Sequence, residues 1–193
     1  MSDLFTVTEG RPEQREAITE WLPMMSRLSA ATRSSVVTAW TTVWNSSGFA
    51  TIADFPYAHD VGDYRLREHV VEVVEVGLLL VGYARERWNY QLTDEIVLPT
   101  LILHDVDKPL LYVRQPDGTV TLHPHRSRIQ HGVLGAMLLR DLGFADDVVA
   151  PVAAHAANSP FHDPTPVGWI LHYADFFCAD HAFRDHTPFF QRN

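Results

Sequence analysis

Residues 93–108, with the sequence TDEIVLPTLILHDVDK, decide how the chain is expected to fold. Thr93 is a favourable N-cap residue, and the two acidic residues that follow it suit the first turn of a helix. The run is then almost wholly apolar, which is typical of a helix buried on all sides. This helix is expected to deliver His104 and Asp105 at its C-terminal end, with Lys108 just beyond it.

A second helix is predicted upstream, over residues 63–87. Leu66, Val70 and Val73 fall on one stripe of this helix, whereas arginine and glutamate side chains fall on another. His69 lies on the apolar stripe. The pattern therefore predicts a second buried helix that carries a histidine towards the core.

The N-terminal third of the chain is predicted to be helical as well. Residues 1–20 are polar and are expected to form a loose leader or a first helix. A helical pattern follows over residues 21–44 and is broken at residues 46–48, where Ser-Ser-Gly occurs. We expect residues 1–55 to form an N-terminal helical segment packed on the core, and residues 56–193 to form a single globular unit.

The C-terminal half is predicted to contain one hairpin and three helices. Residues 110–122 are typical of a β-hairpin that turns at Asp117-Gly118. Helices are predicted over residues 127–142, where Ser127 and Gln130 match a capping box, over residues 146–158, and from Thr165 onward. They carry His131, His155 and Asp175, respectively. The predicted fold class is therefore all-α, a helical bundle with one small β-hairpin insertion.

Composition excludes several classes of protein. The 193 residues are 46% hydrophobic and carry a net charge of −9, so the surface lacks the basic field that nucleic acid attracts. The apolar runs are shorter than the roughly 20 residues that a membrane span needs. Cys178 is the only cysteine, which excludes an intramolecular disulfide. The first residues do not match a secretory signal, so we expect a cytoplasmic protein without a membrane or nucleic-acid partner. The sequence does not indicate the oligomeric state.

Histidine is unusually frequent: there are 11 histidines, against 15 lysines and arginines of which Lys108 is the only lysine. Several histidines and carboxylates fall in apolar settings on separate predicted helices, where an unpaired ionisable group is costly. A shared metal site would satisfy them together. Imidazole with carboxylate suits iron, manganese, zinc or cobalt, and an aspartate next to a histidine is well placed to bridge two ions.

These residues, in this order, resemble the HD-domain superfamily of metal-dependent hydrolases and oxygenases. The resemblance runs over residues 64–180 and rests on five elements: His69, the His104-Asp105 pair followed by Lys108, the run HGVLG from His131, His155, and the run YAD that ends at Asp175. It implies an HD-domain fold for residues 56–193. It also implies that His69, His104, Asp105 and Asp175 are core metal ligands, with His131 and His155 as the extra ligands of members that bind two ions.

The resemblance also assigns a role to Lys108, because a lysine at the matching position of the family commonly contacts an anionic or hydroxyl group of the substrate. We therefore expect a small anionic substrate, and we add His125 and Arg128 as candidate substrate-binding residues. Asp107 and His125 are candidate proton-transfer groups. Asp105 and Lys108 are the predicted catalytic residues.

Three functions remain open at this point. The leading hypothesis is a metal-dependent hydrolase that acts on a small phosphorylated metabolite through a metal-activated water. The second is a mixed-valent di-iron oxygenase that cleaves a C–C or C–P bond with O₂, because members of this kind use the same ligand pattern. The third is a non-catalytic module that binds a ligand. The ligands alone do not choose between hydrolysis and oxygenation, nor do they identify the metal.

Overall fold

The computed structural model of the chain describes residues 4–59, 61–186 and 190. The chain is mostly helical, as predicted. The helices are α1 (Pro12–Trp21), α2 (Ala30–Ser46), α3 (Leu66–Trp88), α4 (Asp94–Leu103), α5 (Lys108–Leu111), α6 (Val133–Asp141), α7 (Asp146–Ala154) and α8 (Pro166–Ala182). The described residues also form two short strands, β1 (Tyr112–Arg114) and β2 (Val120–Leu122), and short 3₁₀ helices between the longer elements. No helix in the described part of the chain is long and apolar enough to cross a membrane.

Helices α3, α4, α7 and α8 surround the centre of the molecule. α3 lies against both α8 and α4, and α7 contacts α4, α6 and α8. α4 is buried from Val97 to Leu103, as its apolar sequence predicts. Gly77 allows α3 to approach α4 closely, because a Cβ atom at this position would lie 2.7 Å from the side chain of Leu101.

The N-terminal segment contacts this centre through α2, which lies against α4 and α5, and aromatic side chains hold the segment itself together. Trp21 at the end of α1 meets Trp40 of α2 edge to face, with ring centroids 4.9 Å apart, and Phe55 contacts both rings. The helix predicted over residues 21–44 begins later than expected. Trp21 ends α1, and α2 begins only at Ala30. Ser29 caps α2, since its hydroxyl accepts a hydrogen bond from the backbone N–H of Thr32.

The predicted hairpin is present. β1 and β2 pair antiparallel, with Tyr112 opposite Leu122. Asp117 shapes the turn, because its carboxylate accepts a hydrogen bond from the backbone N–H of Thr119 at 2.9 Å. Gly118 has a φ of 86°, a conformation that glycine adopts without strain.

The helix predicted over residues 127–142 begins later than expected. Ser127 does not cap it; its hydroxyl donates to the carbonyl of Pro124 within a short 3₁₀ helix. α6 starts at Val133, after Gly132, whose φ of 87° is incompatible with a continuous right-handed helix. The helix predicted over residues 146–158 likewise ends at Ala154. The helix predicted from Thr165 is confirmed, with the Thr165 hydroxyl accepting from the N–H of Gly168.

Candidate metal centre

The ends of several helices bring six side chains together in the middle of the molecule. α3 supplies His69, and the turn after α4 supplies His104 and Asp105. His131 precedes α6, His155 follows α7, and Asp175 lies within α8. The side chains of His69, His104, Asp105 and His155 are at most 1% exposed, whereas those of Asp175 and His131 are 15% and 17% exposed. The cluster is thus buried, and only its Asp175 and His131 margin reaches solvent.

Asp105 lies at the centre of the cluster, and its two carboxylate oxygens face different pairs of histidines. Oδ2 lies 3.3 Å from Nε2 of His69 and 3.4 Å from Nε2 of His104. Oδ1 lies 2.7 Å from Nε2 of His131 and 3.4 Å from Nε2 of His155. Two groups result, each compact enough to hold a metal ion: a first triad of His69, His104 and Asp105, and a second triad of Asp105, His131 and His155.

The outer nitrogens of three imidazoles contact acceptors and so determine which nitrogen faces the centre. Nδ1 of His104 lies 2.8 Å from the carbonyl of Leu101, and Nδ1 of His155 lies 2.7 Å from the carbonyl of Val152. A carbonyl oxygen only accepts, so these Nδ1 atoms carry the proton and the Nε2 lone pairs point inward. Nδ1 of His131 faces a carboxylate instead, at 2.9 Å from Asp107.

The inward-facing nitrogens lie so close together in pairs that a proton or a metal cation must lie between the two lone pairs. Nε2 of His69 and Nε2 of His104 lie 3.1 Å apart, and so do Nε2 of His131 and Nε2 of His155. Two neutral acceptors at this distance repel each other unless a proton or a cation lies near both. The buried Oδ2 of Asp105 also accepts no well-aligned hydrogen bond from the described residues. These donor atoms therefore fit divalent metal ions.

Asp175 completes the first triad on its more exposed side. Its Oδ1 lies 3.0 Å from Nε2 of His69 and 3.9 Å from Nε2 of His104. Burial disfavours its charged form, but the hydrogen bond with His69 and the charge of His104 lower the pKa of Asp175. A carboxylate that stays ionised beside two imidazoles is a suitable metal ligand.

The electrostatics of the metal-free cluster follow from the central carboxylate. Burial opposes the ionisation of Asp105, yet Lys108 and the surrounding histidines hold its pKa well below the usual range. Burial also opposes a charged His131, but Asp107 and Asp105 outweigh it and raise the pKa of His131 to about 9. The pKa of His69, where burial dominates, is lowered. The cluster thus favours positive charge next to Asp105.

Asp107 has a role that the sequence did not reveal. It was expected as a proton-transfer group, but its side chain is wholly buried and faces Nδ1 of His131. Its Oδ2 accepts hydrogen bonds from the backbone N–H of Gly132 at 2.8 Å and of Gly135 at 3.3 Å. A carboxylate that orients a ligating histidine from behind is common in metal sites. The sequence signal for this contact is the position of Asp107, two residues after the predicted ligand Asp105.

Lys108 lies at the edge of the cluster. Its Nζ is 3.2 Å from Oδ2 of Asp105 and 3.8 Å from the ring centre of Tyr57. Its side chain is 12% exposed. No sequence pattern pointed to Tyr57, because it belongs to a segment that has the composition of a loop.

The structure places the remaining two candidates elsewhere. The ring of His125 stacks on that of His123, and both line a cavity of about 360 Å³ beside β1 and the end of α2. Arg128 is exposed. Within the described residues, neither side chain forms a hydrogen bond or an ion pair with the six clustered residues. Their assignment to substrate binding stays a prediction.

Comparison with known proteins gives one informative likeness. The chain is similar to the dihydroneopterin 2′,3′-cyclic phosphate phosphodiesterase of Methanocaldococcus jannaschii, with 29% identity over 111 residues. The aligned part is 57% of this chain but 44% of that enzyme, so the chain matches less than half of its relative. No protein-family model matches the chain, and no solved structure matches it significantly. Membership of the HD-domain superfamily therefore stays a prediction from the residues.

Proposed function

We propose that the chain is a metal-dependent phosphohydrolase of the HD-domain superfamily, with two divalent ions held by the first and second triads. Its substrate would be a small phosphate ester. The observation that carries this proposal is the position of Asp105, whose two oxygens face two separate pairs of imidazoles. A carboxylate placed in this way suits a bridge between two ions, and paired ions are widely used in phosphate ester hydrolysis.

The relative supports the choice of hydrolysis. Its name describes a phosphodiesterase that acts on a cyclic phosphate, and the similarity extends over more than half of this chain. The donor set supports metal dependence, since imidazole with carboxylate suits manganese, iron, zinc and cobalt, but the choice of hydrolysis rests on the relative. We therefore give phosphodiesters, including cyclic ones, as the first class of substrate to be assayed.

Each residue of the site has a distinct task in this proposal. Bound divalent ions would supply Lewis acidity, which lowers the pKa of a coordinated water and polarises a phosphoryl oxygen. His69, His104 and Asp175 would hold the ion of the first triad, and His131 and His155 that of the second. Lys108 presents a positive charge at the margin of the site, where it is available to the phosphate of the substrate.

The net reaction needs only water as co-substrate. A P–O bond to the oxygen of water forms, the P–O bond to the leaving alcohol breaks, and the leaving oxygen takes up a proton. A phosphodiester thus yields a phosphomonoester and an alcohol, and a cyclic phosphate yields a single ring-opened monoester. The net charge of −9 opposes the approach of an anion, so the attraction must be local to the ions and Lys108.

The deciding experiment combines metal analysis with an ester-cleavage assay. We expect protein purified without added metal to contain one or two transition-metal ions per chain, and the manganese-loaded protein to cleave bis(p-nitrophenyl) phosphate or a 2′,3′-cyclic phosphate. Asp105→Ala should lose both the metal and the activity. Asp141→Asn, which changes an exposed carboxylate at the end of α6, is the matched control and should keep both.

Two results would overturn the proposal. One is a wild-type protein that binds no divalent ion. The other is an iron-loaded protein that consumes O₂ with an organic substrate while all metal-loaded forms leave phosphate esters intact, which would establish the oxygenase instead.

A further inference from the structure

The ammonium group of Lys108 is held between an acidic and an aromatic side chain. Asp105 lies 3.2 Å from it, and the face of the Tyr57 ring lies 3.8 Å from it. Both partners are buried, since Tyr57 is 3% exposed and Asp105 is 1% exposed. A cation over an aromatic face is attracted by the ring quadrupole, and the attraction is stronger where water is excluded.

Tyr57 is itself fixed by the surrounding structure. Its ring packs against the imidazole of His69, with centroids 4.1 Å apart, and meets Tyr64 edge to face at 5.3 Å. Two residues earlier, Phe55 anchors the same segment in the aromatic cluster of α1 and α2. The carbonyl of Phe55 also accepts a hydrogen bond from the N–H of Leu66 at the start of α3. The ring is therefore packed against His69 of the first triad on one side and Tyr64 on another.

We propose that Tyr57 is a positioning residue that holds the Lys108 ammonium at the margin of the metal centre, in place to receive the anionic group of the substrate. This inference rests on the proposed function, because it concerns the same site. Tyr57 belongs to the segment before α3, and none of the predicted ligands comes from that segment.

The physical reason is that a lysine side chain is long and flexible. Lys108 has four rotatable bonds, and a salt bridge to Asp105 alone does not fix the direction of its ammonium. The flat face of Tyr57 provides a second contact from another direction. The attraction needs only the aromatic face, so Phe should replace Tyr at this position, whereas an aliphatic residue of similar size should not.

A first measurement exploits the fact that Lys108 is the only lysine of the chain. Protein grown with ¹³C-lysine should give a single ε-methylene signal, shifted upfield by the ring current of Tyr57. We expect Tyr57→Phe to keep this shift and Tyr57→Leu to lose it, in the metal-free protein and in the protein loaded with zinc, which is diamagnetic. An unshifted signal in the wild type would overturn the inference. Because this test needs no variant, the inference can be contradicted even if Tyr57→Leu fails to fold.

A second measurement connects the contact with anion binding. Inorganic phosphate should bind to the zinc-loaded Tyr57→Leu variant about fivefold to tenfold more weakly than to the wild type. Lys108→Met should show a loss at least as large, and the double variant should be no weaker than Lys108→Met alone, because Tyr57 acts through Lys108. Tyr57→Phe should bind phosphate within about twofold of the wild type.

The two measurements separate the inference from the proposed function. A protein that binds no metal contradicts the proposed function, while the ring-current shift still reports the Tyr57–Lys108 contact. A protein that binds zinc and phosphate normally, but shows additive losses for Tyr57→Leu and Lys108→Met, retains the proposed function and overturns the inference.

Discussion

The carboxylate of Asp107 lies 2.9 Å from Nδ1 of His131, on the side of the imidazole that faces away from Asp105. Because Nε2 of the same ring lies 2.7 Å from Asp105, His131 links two carboxylates across its ring. The backbone N–H groups of Gly132 and Gly135 hold Asp107 in turn. The orientation of a second-triad histidine is thus determined from behind the site.

Asp107→Asn should weaken metal binding at the second triad only. The amide is neutral and supports the imidazole less strongly as a ligand, and losses of this kind amount to about 10- to 100-fold in metal affinity. In a calorimetric titration with Mn²⁺, one of two binding events should weaken while the other is kept. The control Asp141→Asn, on the surface at the end of α6, should leave both binding events unchanged. If Asp107→Asn weakened both events equally, the two triads would not be separate metal positions.

Ligand substitutions should divide the site into two halves. His69 contacts Oδ2 of Asp105, and His131 contacts Oδ1, so each histidine serves one triad. Elemental analysis is expected to find one ion per chain in His69→Ala and one in His131→Ala, against none in Asp105→Ala. Loss of both ions from either histidine variant would show that the two positions fill only together.

The sequence predicted that these residues converge, because they fall in apolar settings on separate predicted helices; their assignment as metal ligands rests on the family resemblance and stays a prediction. His69 shares an apolar stripe with Leu66 and Val70, and α4 is so uniformly apolar that its C-terminal His-Asp pair had to lie in the core. Donor chemistry then favoured convergence, since buried histidines and carboxylates need partners. Local periodicity and burial are properties that the order of apolar and polar residues encodes directly.

Long-range contacts explain what the sequence did not predict. Ser127 and Gln130 match a capping box, but the N–H of Gly132 donates to Asp107 instead of continuing a helix from Ser127. A tertiary hydrogen bond thus overrides the local signal. Tyr57 was missed for a similar reason, because only the fold brings its ring over Lys108.

Gly132→Ala should destabilise the protein more than Gly118→Ala. The two glycines share nearly the same φ, 87° and 86°, so each variant carries a conformational cost of about 1 kcal/mol or more. The cost is larger at Gly132, because its ψ of −35° lies outside the left-handed helical region. At Gly132 a Cβ atom would also lie 2.6 Å from the carbonyl of Val152 and 3.1 Å from the ring of His155, whereas nothing lies within 4 Å at Gly118. Crowding of this kind adds about 1–3 kcal/mol.

Urea unfolding of the two glycine variants tests this comparison directly. Gly132→Ala should lose about 2–4 kcal/mol of unfolding free energy, and its second triad should bind metal more weakly because the His155 ring is displaced. Gly118→Ala should lose about 1 kcal/mol and keep its metal affinity. Equal losses would mean that the close approach to Val152 relaxes without cost.

Asp94 should make the stability of the metal-free protein depend on pH in acid. Burial opposes its ionisation, but hydrogen bonds from Arg85 and Arg27, with nitrogen to oxygen distances of 2.9 and 2.7 Å, lower its pKa. Its contribution is therefore complete above the unfolded pKa of about 4, and it disappears as the pH falls through the lower folded pKa. Asp94→Asn should reduce the unfolding free energy at pH 7 by roughly 1 kcal/mol, and the difference from the wild type should vanish towards acid pH.

Asp63→Asn, which changes a fully exposed carboxylate 3.7 Å from Arg65, is the control and should follow the wild type in urea unfolding at every pH. A difference for Asp94→Asn that stays constant down to the lowest pH would show that its charge is not what stabilises the start of α4.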